Sequence, residues 1–210
     1  MTLSLLSLFF STTLLADEAT DTFNLANGIF IVEDYETALG YYDEVLNKFP
    51  KFKHAEEARF RKAECLYRLK KLEAASKDFE AVLAKNADFK EAQTARYRLG
   101  EIYLNHLEKY DKAAAFYGEL ALKDPKHKLA DSSIYFQGEA FFKLKAYQKS
   151  TASYTSLLEK YGESEYVAAA TYSLGWSRFL SEDFEGAVKH FGTIVTKFPK
   201  EETVAECHYK

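Results

Sequence analysis

A motif of about 37 residues recurs along this 210-residue chain and constrains its fold more than any other feature. Its first element is an aromatic residue followed three positions later by Ala or Gly. The aromatic residues stand at spacings of 37, 38 and 37, at Phe60, Tyr97, Tyr135 and Tyr172, and the small residues that follow are Ala63, Gly100, Gly138 and Gly175. Four recurrences in one phase indicate a tandem array of one structural unit.

A second element follows the first at nearly the same distance in every unit. It consists of an aromatic residue or Leu, then Ala or Ser three positions on, then an aromatic four positions further. Its instances are Tyr35-Ala38-Tyr42, Leu72-Ala75-Phe79, Tyr110-Ala113-Tyr117, Tyr147-Ser150-Tyr154 and Phe184-Ala187-Phe191. Spacings of three and four are typical of one helix face. Eight residues after the last aromatic residue of this element, a helix breaker stands in four of the five instances, at Pro50, Pro125, Gly162 and Pro199.

The two elements predict a helical hairpin in every unit, over about residues 22–48, 55–85, 91–122, 129–160 and 167–197. A small residue lets two helix backbones approach closely, and an aromatic side chain of the neighbouring helix fills the space. We therefore expect Gly100, Gly138, Gly175, Ala38, Ala75, Ala113 and Ala187 to be buried at helix–helix contacts. Because one hairpin cannot bury its apolar stripe alone, successive hairpins should stack. The predicted fold is all-α, a right-handed α-solenoid of tandem hairpins.

Composition excludes several other classes of protein. Three Pro and nine Gly are too few for the many turns of an all-β protein, and a net charge of −4 with interspersed Lys and Glu leaves no basic surface for nucleic acid. The two cysteines, Cys65 and Cys207, are too isolated for a metal site or a disulfide framework, and we expect each to be a small buried residue in a helix. No histidine combines with Cys, Asp and Glu into a set of metal ligands within a helix turn, and no nucleophile or phosphate-binding motif is present. We expect no catalytic residues, no metal and no cofactor.

Residues 1–16 differ from the rest of the chain. The segment from Leu3 to Leu15 is apolar apart from Ser and Thr, and Asp17 and Glu18 end it. It is shorter than the roughly 20 residues that a membrane-spanning helix needs, so we expect no transmembrane span. It fits the apolar region of a secretory signal with Ala16 before the cleavage point. The alternatives are an apolar helix that caps the array or a misplaced start codon.

The repeat resembles the tetratricopeptide repeat, whose pattern is W-x₂-L-G-x₂-Y…A-x₃-F…P. The matching residues are Leu99, Gly100, Tyr103, Ala113, Tyr117 and Pro125. Arg96 occupies the Trp position, the aromatic residue moves to Tyr97, and the period is longer than the family's 34. Both features resemble the envelope-associated branch of the family, which includes the periplasmic coordinator of the Tol–Pal system and the outer-membrane β-barrel assembly lipoprotein.

The resemblance covers about residues 20–210 and implies a division of the chain. Residues 17–210 would form five repeats of about 37 residues and the start of a sixth, marked by Cys207 and Tyr209. It also implies a protein–protein interaction scaffold rather than an enzyme, located in the periplasm or elsewhere in the bacterial cell envelope. The partner, a protein or peptide, would dock on the concave surface that the first helices line in the family.

The first helices carry the candidate partner-binding residues. Glu64, Glu101 and Glu139 follow the small residue directly, and Trp176 takes that position in the next unit. One helical turn earlier stand Tyr97, Tyr135 and Tyr172. Aromatic faces beside carboxylates suit a partner segment with Lys or Arg. Two alternatives remain for these residues: the aromatics belong to the core between repeats, or the glutamates are ordinary solvated surface.

Two other functions agree with the same residues. Aromatic faces also stack on sugars, so the surface could bind glycan or peptidoglycan. The chain could also be the docking arm of a longer protein that has a further domain beyond residue 210.

The signal hypothesis makes a direct prediction. If residues 1–16 are a signal, the exported chain begins near Asp17, because the signal peptidase cuts after a small residue such as Ala16. Mass spectrometry of the intact exported protein measures the mass of the mature chain. A mass that retains Met1 would contradict the hypothesis and favour the capping helix.

Overall fold

A computed structural model describes the backbone of residues 3–199 and the side chains of residues 17–199. Over this range the chain forms ten α-helices and no strand, which confirms the all-α class and the tandem hairpins. The helices are α1 Leu3–Ile31, α2 Tyr35–Lys48, α3 Ala55–Arg68, α4 Leu72–Lys85, α5 Ala92–Asn105, α6 Tyr110–Lys123, α7 Ala130–Lys143, α8 Tyr147–Lys160, α9 Val167–Leu180 and α10 Phe184–Lys197. Odd and even helices alternate as the first and second helix of hairpins 1 to 5.

The predicted boundaries agree with the observed helices except at the start of hairpin 1. Helix α1 begins at Leu3, whereas the pattern predicted a start near residue 22. The side chains of residues 1–16 lie outside the described residues, and so do Cys207 and Tyr209 of the predicted sixth unit. No helix within residues 3–199 combines the length and the apolar character that a membrane crossing requires.

The chain divides into two compact units, and the boundary lies inside α5. The N-terminal unit runs to Ala95, and the C-terminal unit begins at Arg96. Within the N-terminal unit α2 packs against both α1 and α3, and α3 packs against α4. Within the C-terminal unit α7 packs against α6 and α8, and α9 packs against α8 and α10. Within each unit these helices therefore contact their neighbours along the chain, as expected for stacked hairpins.

Small residues at the predicted positions hold the hairpins together. All seven of the predicted glycines and alanines are buried. In hairpins 3, 4 and 5 a Cβ atom added to the Gly would lie only 2.5 to 2.7 Å from a ring carbon of the second helix, at the pairs Gly100–Tyr117, Gly138–Tyr154 and Gly175–Phe191. The hydrogen atom of Gly is thus the largest side chain that fits beneath each ring.

The turn between the helices of each hairpin has a feature that the sequence did not predict. One residue in every turn adopts a positive φ of 51 to 67°, and it is Glu or Lys in all five: Glu33, Lys70, Glu108, Lys145 and Glu182. In hairpin 4 the N–H groups of Lys145 and Ala146 donate to the carbonyls of Phe142 and Phe141. These bonds close the C-terminus of the first helix. Glycine is the usual residue at such a position because a Cβ strains the left-handed backbone.

Buried polar side chains in two places of the C-terminal unit have hydrogen-bond partners. Arg96, at the family's Trp position, is 2% exposed, and its Nε donates to Oε2 of Glu119 at 3.1 Å. The hydroxyls of Ser150 and Ser177 hydrogen-bond at 2.7 Å in the core between α8 and α9. Cys65 is fully buried, as predicted, and burial raises the pKa of its thiol to about 12.

The glycine contacts predict opposite effects of one substitution at two helix positions. Replacing Gly100 with Ala should lower the free energy of unfolding by roughly 1–3 kcal/mol, because the added methyl displaces the Tyr117 ring. The control is Gly192→Ala in α10, where no atom lies within 4 Å of the added Cβ. That change should raise stability by about 0.5–1 kcal/mol through helix propensity. Urea unfolding measures both, and stabilisation by both substitutions would contradict the proposed packing.

Candidate functional site

The first helix of each hairpin presents the candidate residues in pairs one turn apart. Tyr97 precedes Glu101 on α5, Tyr135 precedes Glu139 on α7, and Tyr172 precedes Trp176 on α9. Residues four apart lie on the same face of a helix, so each pair shares one surface. A fourth pair would combine Phe60 with Glu64 on α3, but there both side chains are buried, at 3% and 7% exposure.

Three of the seven predicted site residues meet at a cleft between α7 and α9. Glu139, Tyr172 and Trp176 line it together with Phe142 and Ser173, around a volume of about 270 Å³. The Tyr172 and Trp176 rings meet edge to face with centroids 6.4 Å apart. Both are half-buried, so part of each ring remains open to the cleft. We call this space the α7–α9 cleft.

Glu139 also lines a second cleft of about 320 Å³ on the other side of α7, together with Tyr135. Phe136 and Lys143 from α7 and Leu104 from α5 contribute to the same wall. The Glu139 carboxylate therefore stands between two neighbouring clefts. A bound segment that crosses α7 would pass this carboxylate.

Two hydroxyl groups hold the Glu139 carboxylate in place. The Tyr154 hydroxyl from α8 and the Ser173 hydroxyl from α9, the latter at 3.1 Å, both donate to Oε1. Neutral donors orient the carboxylate without cancelling its charge. Burial, with Glu139 adding to the effect, raises the pKa of Tyr135 to about 12 and raises that of Tyr154 still more. Both tyrosines are therefore neutral hydroxyl groups at ordinary pH.

Glu101 has a different environment from Glu139. Nη1 of Arg98, on the same helix, lies 3.1 Å from its Oε2, so a cation already accompanies this carboxylate. The Tyr97 ring packs edge to face on Tyr117 at 5.5 Å and on Phe136 at 6.4 Å. Tyr97 is thus largely part of the packing between helices, one of the two alternatives that the sequence left open.

The three glutamates share a sequence phase but not a chemical environment. Glu64 belongs to the N-terminal unit and is buried, Glu101 accompanies Arg98, and Glu139 alone lines the two clefts. Tyr135 stacks on Tyr166 at 5.0 Å and so is shared between packing and cleft. The phase of the repeat identified Glu139, Tyr172 and Trp176 but did not identify Ser173 or Lys143. The sequence contains one indication that Lys143 lies near Glu139, because residues four apart share a helix face.

The hydroxyl of Tyr154 should contribute measurably to stability. We expect Tyr154→Phe to lower the free energy of unfolding by about 1.5–3 kcal/mol, because it removes a hydrogen bond to a charged group. Tyr147→Phe on the same helix is the control, since the Tyr147 ring packs on Phe142 and would keep that contact. Thermal and urea unfolding report the difference. Equal stability of the two variants would show that the Tyr154 bond contributes little.

Comparison with known proteins agrees with this architecture. Two family models, both described as tetratricopeptide repeat, match residues 30–96 and 71–128. No curated protein matches the chain in sequence.

Several solved structures share the fold at low sequence identity. MamA from Desulfovibrio magneticus RS-1 has a TM-score of 0.67 and 19% identity over 89% of this chain and 98% of that chain. YrrB, described as a TPR protein with an unusual peptide-binding site, has a TM-score of 0.72 and 17% identity over 90% and 91%. A tetratricopeptide repeat protein from Parabacteroides merdae ATCC 43184 has a TM-score of 0.71 and 15% identity over 91% and 71%.

The family models cover hairpins 2 and 3 completely, and the same hairpin continues through hairpins 4 and 5 to Lys197. Residues 30–128 therefore match the tetratricopeptide repeat family, and the chain shares the fold of its solved members.

Proposed function

We propose that the chain is a non-catalytic scaffold that binds a peptide segment of a partner protein at the α7–α9 cleft. The observation that carries the proposal is the position of the Glu139 carboxylate beside the half-buried rings of Phe142, Tyr172 and Trp176. Aromatic faces attract cations, and a carboxylate at their edge adds a charged acceptor. The side chain of Lys or Arg fits this combination, because its methylene groups pack on rings while its charged end stays polar.

The fixed position of the Glu139 carboxylate favours a role in binding a cationic side chain over that of an ordinary solvated glutamate. Two hydroxyl groups fix the carboxylate before any partner arrives, so little side-chain freedom is lost when a cation binds. The sequence alternative of an ordinary solvated glutamate fits Glu139 less well for this reason. YrrB, which shares the fold, is described as having an unusual peptide-binding site, and this supports a peptide as the ligand class.

We further propose that the scaffold acts in the bacterial cell envelope. Support comes from the apolar run from Leu3 to Leu15, which fits a secretory signal, and from the resemblance to the envelope branch of the family. Glycan binding at the same cleft is the competing function, since Tyr172 and Trp176 could also stack on a sugar ring.

The peptide proposal predicts a charge-dependent affinity. A peptide library with one fixed Lys should yield ligands that bind the wild-type chain at least about tenfold more tightly than the Glu139→Gln variant. Replacing that Lys with norleucine should lose the same factor, because it keeps the methylene packing and removes the charge. Fluorescence polarisation at low and high salt gives the affinities, and salt should weaken wild-type binding more than binding to the variant.

Glu159→Gln is the matched control, because it removes an exposed carboxylate from α8 in the same unit. It should leave the affinity within about twofold of the wild type. Equal affinity for wild type and Glu139→Gln would overturn the proposal. Selective binding of peptidoglycan fragments, with no peptide ligand, would instead favour the glycan function.

A further inference from the structure

A groove runs between the second helices α6 and α8 of the C-terminal unit, with α7 as its floor. Its volume is about 430 Å³. The floor presents apolar side chains and one amide, and the walls carry small side chains that leave the space between the helices open. These residues are Ile134, Gln137 and Phe141 on the floor, and Ala121, Ala152 and Ser156 on the walls. We call this space the α6–α8 groove.

The α6–α8 groove and the α7–α9 cleft lie on opposite faces of α7. Gln137 and Phe141 line the groove, whereas Glu139, two residues from each of them, lines the cleft. Residues two apart on an α-helix point about 200° away from each other. The two sites share no lining residue, so a ligand in the groove leaves the proposed peptide site free.

Hydrogen bonds that cross three helices fix the shape of the groove. Nε2 of Gln137 donates to the carbonyl of Ala114 in α6 at 3.3 Å, and the Ser153 hydroxyl of α8 donates to Oε1 of the same amide at 3.2 Å. At one end the Tyr161 hydroxyl donates to the carbonyl of Pro125 at 2.7 Å. The groove is therefore formed before any partner binds, and its floor loses little freedom on binding.

The charges in the groove are of one sign. Of the described residues that line it, Lys149 and Lys160 are cations and none is Asp or Glu. Both belong to α8 and are eleven residues apart, so they lie on the same side of that helix, about 16 Å from each other along its axis. The Lys149 ammonium lies 5.5 Å from the centroid of the Phe141 ring, which holds the cation over the floor.

Apolar surface lies between the two cations. Leu122 of α6 lines the groove and is 81% exposed, more than any other large apolar residue of residues 17–199. Phe141 adds part of its ring from the floor. An exposed apolar surface with charged groups at its edges is typical of a protein interaction site.

We propose that the α6–α8 groove binds an amphipathic helix of a partner protein that carries Asp or Glu at both ends of its apolar stripe. Apolar side chains of such a helix fill the space above the small wall residues and pack on Leu122 and Phe141. Carboxylates three turns apart on it match the spacing of Lys149 and Lys160. The charge preference is opposite to that proposed for the α7–α9 cleft.

The test uses the full chain and three fluorescein-labelled, capped helical peptides of Ala, Leu, Lys and Gln background. The first carries two Glu eleven residues apart with Leu between them on the same face. The second replaces both Glu with Gln, and the third moves one Glu by two residues, to the opposite face. Fluorescence polarisation should show the first peptide binding about tenfold more tightly than the second, and more tightly than the third, which has the same charge.

Variants of the groove assign the binding to its residues. Lys149→Gln and Lys160→Gln should each weaken the first peptide about threefold, and the double variant about tenfold, because each change removes one ion pair at the surface. Leu122→Ala should weaken it about fivefold through lost apolar contact. All three residues are exposed, so the variants should keep their fold, which circular dichroism checks.

Helix α10 offers matched controls. Lys197 occupies the last turn of α10 as Lys160 does in α8, and Val188 is a 65% exposed apolar residue of α10. Neither lines the groove, so Lys197→Gln and Val188→Ala should leave the affinity within about twofold of the wild type. Glu139→Gln should also leave it unchanged, which separates this site from the proposed function.

Five results would overturn the proposal. Three concern the peptides: equal binding of the first and second peptides, no binding of any of them, or a loss in Lys197→Gln as large as in the double lysine variant. The others concern the occupant. Binding of phosphatidylglycerol vesicles without peptide binding, lost in the double variant, would identify a membrane surface instead. Self-association in sedimentation velocity that the double variant lacks would identify a second copy of this chain.

Discussion

In hairpins 3 to 5 a ring of the second helix lies against a glycine of the first, and no larger side chain fits there. This contact sets the distance between the two helices of the hairpin. The distance in turn decides which residues of the first helix are buried and which line a cleft. At hairpin 4 the ring is Tyr154, and the hydroxyl of the same side chain reaches Glu139. One residue therefore both packs the hairpin and orients a carboxylate at its surface.

The sequence predicted the helices well because the packing contact recurs with the repeat. Small and aromatic residues that must meet in every hairpin leave a periodic trace, and hairpins 2 to 5 begin and end close to the predicted residues. The candidate site was less predictable, since the neighbours of Glu101 and Glu139 do not repeat. Arg98 beside Glu101 and Ser173 beside Glu139 come from positions with no common residue type. The repeat period therefore predicted which positions carry the carboxylates but not which side chains surround them.

The left-handed residue in every hairpin turn has a consequence for how the array unfolds. Because the position holds Glu or Lys instead of Gly in all five turns, the same strain occurs five times in one chain. In a linear array, local stability is approximately the sum of each repeat's own stability and its coupling to its nearest neighbours. Relieving the strain at one turn therefore changes one local term and leaves the couplings intact. Amides that exchange their hydrogens more slowly after this change belong to hairpins that open together with the altered turn. The number of hairpins affected is then the size of the unit that opens cooperatively.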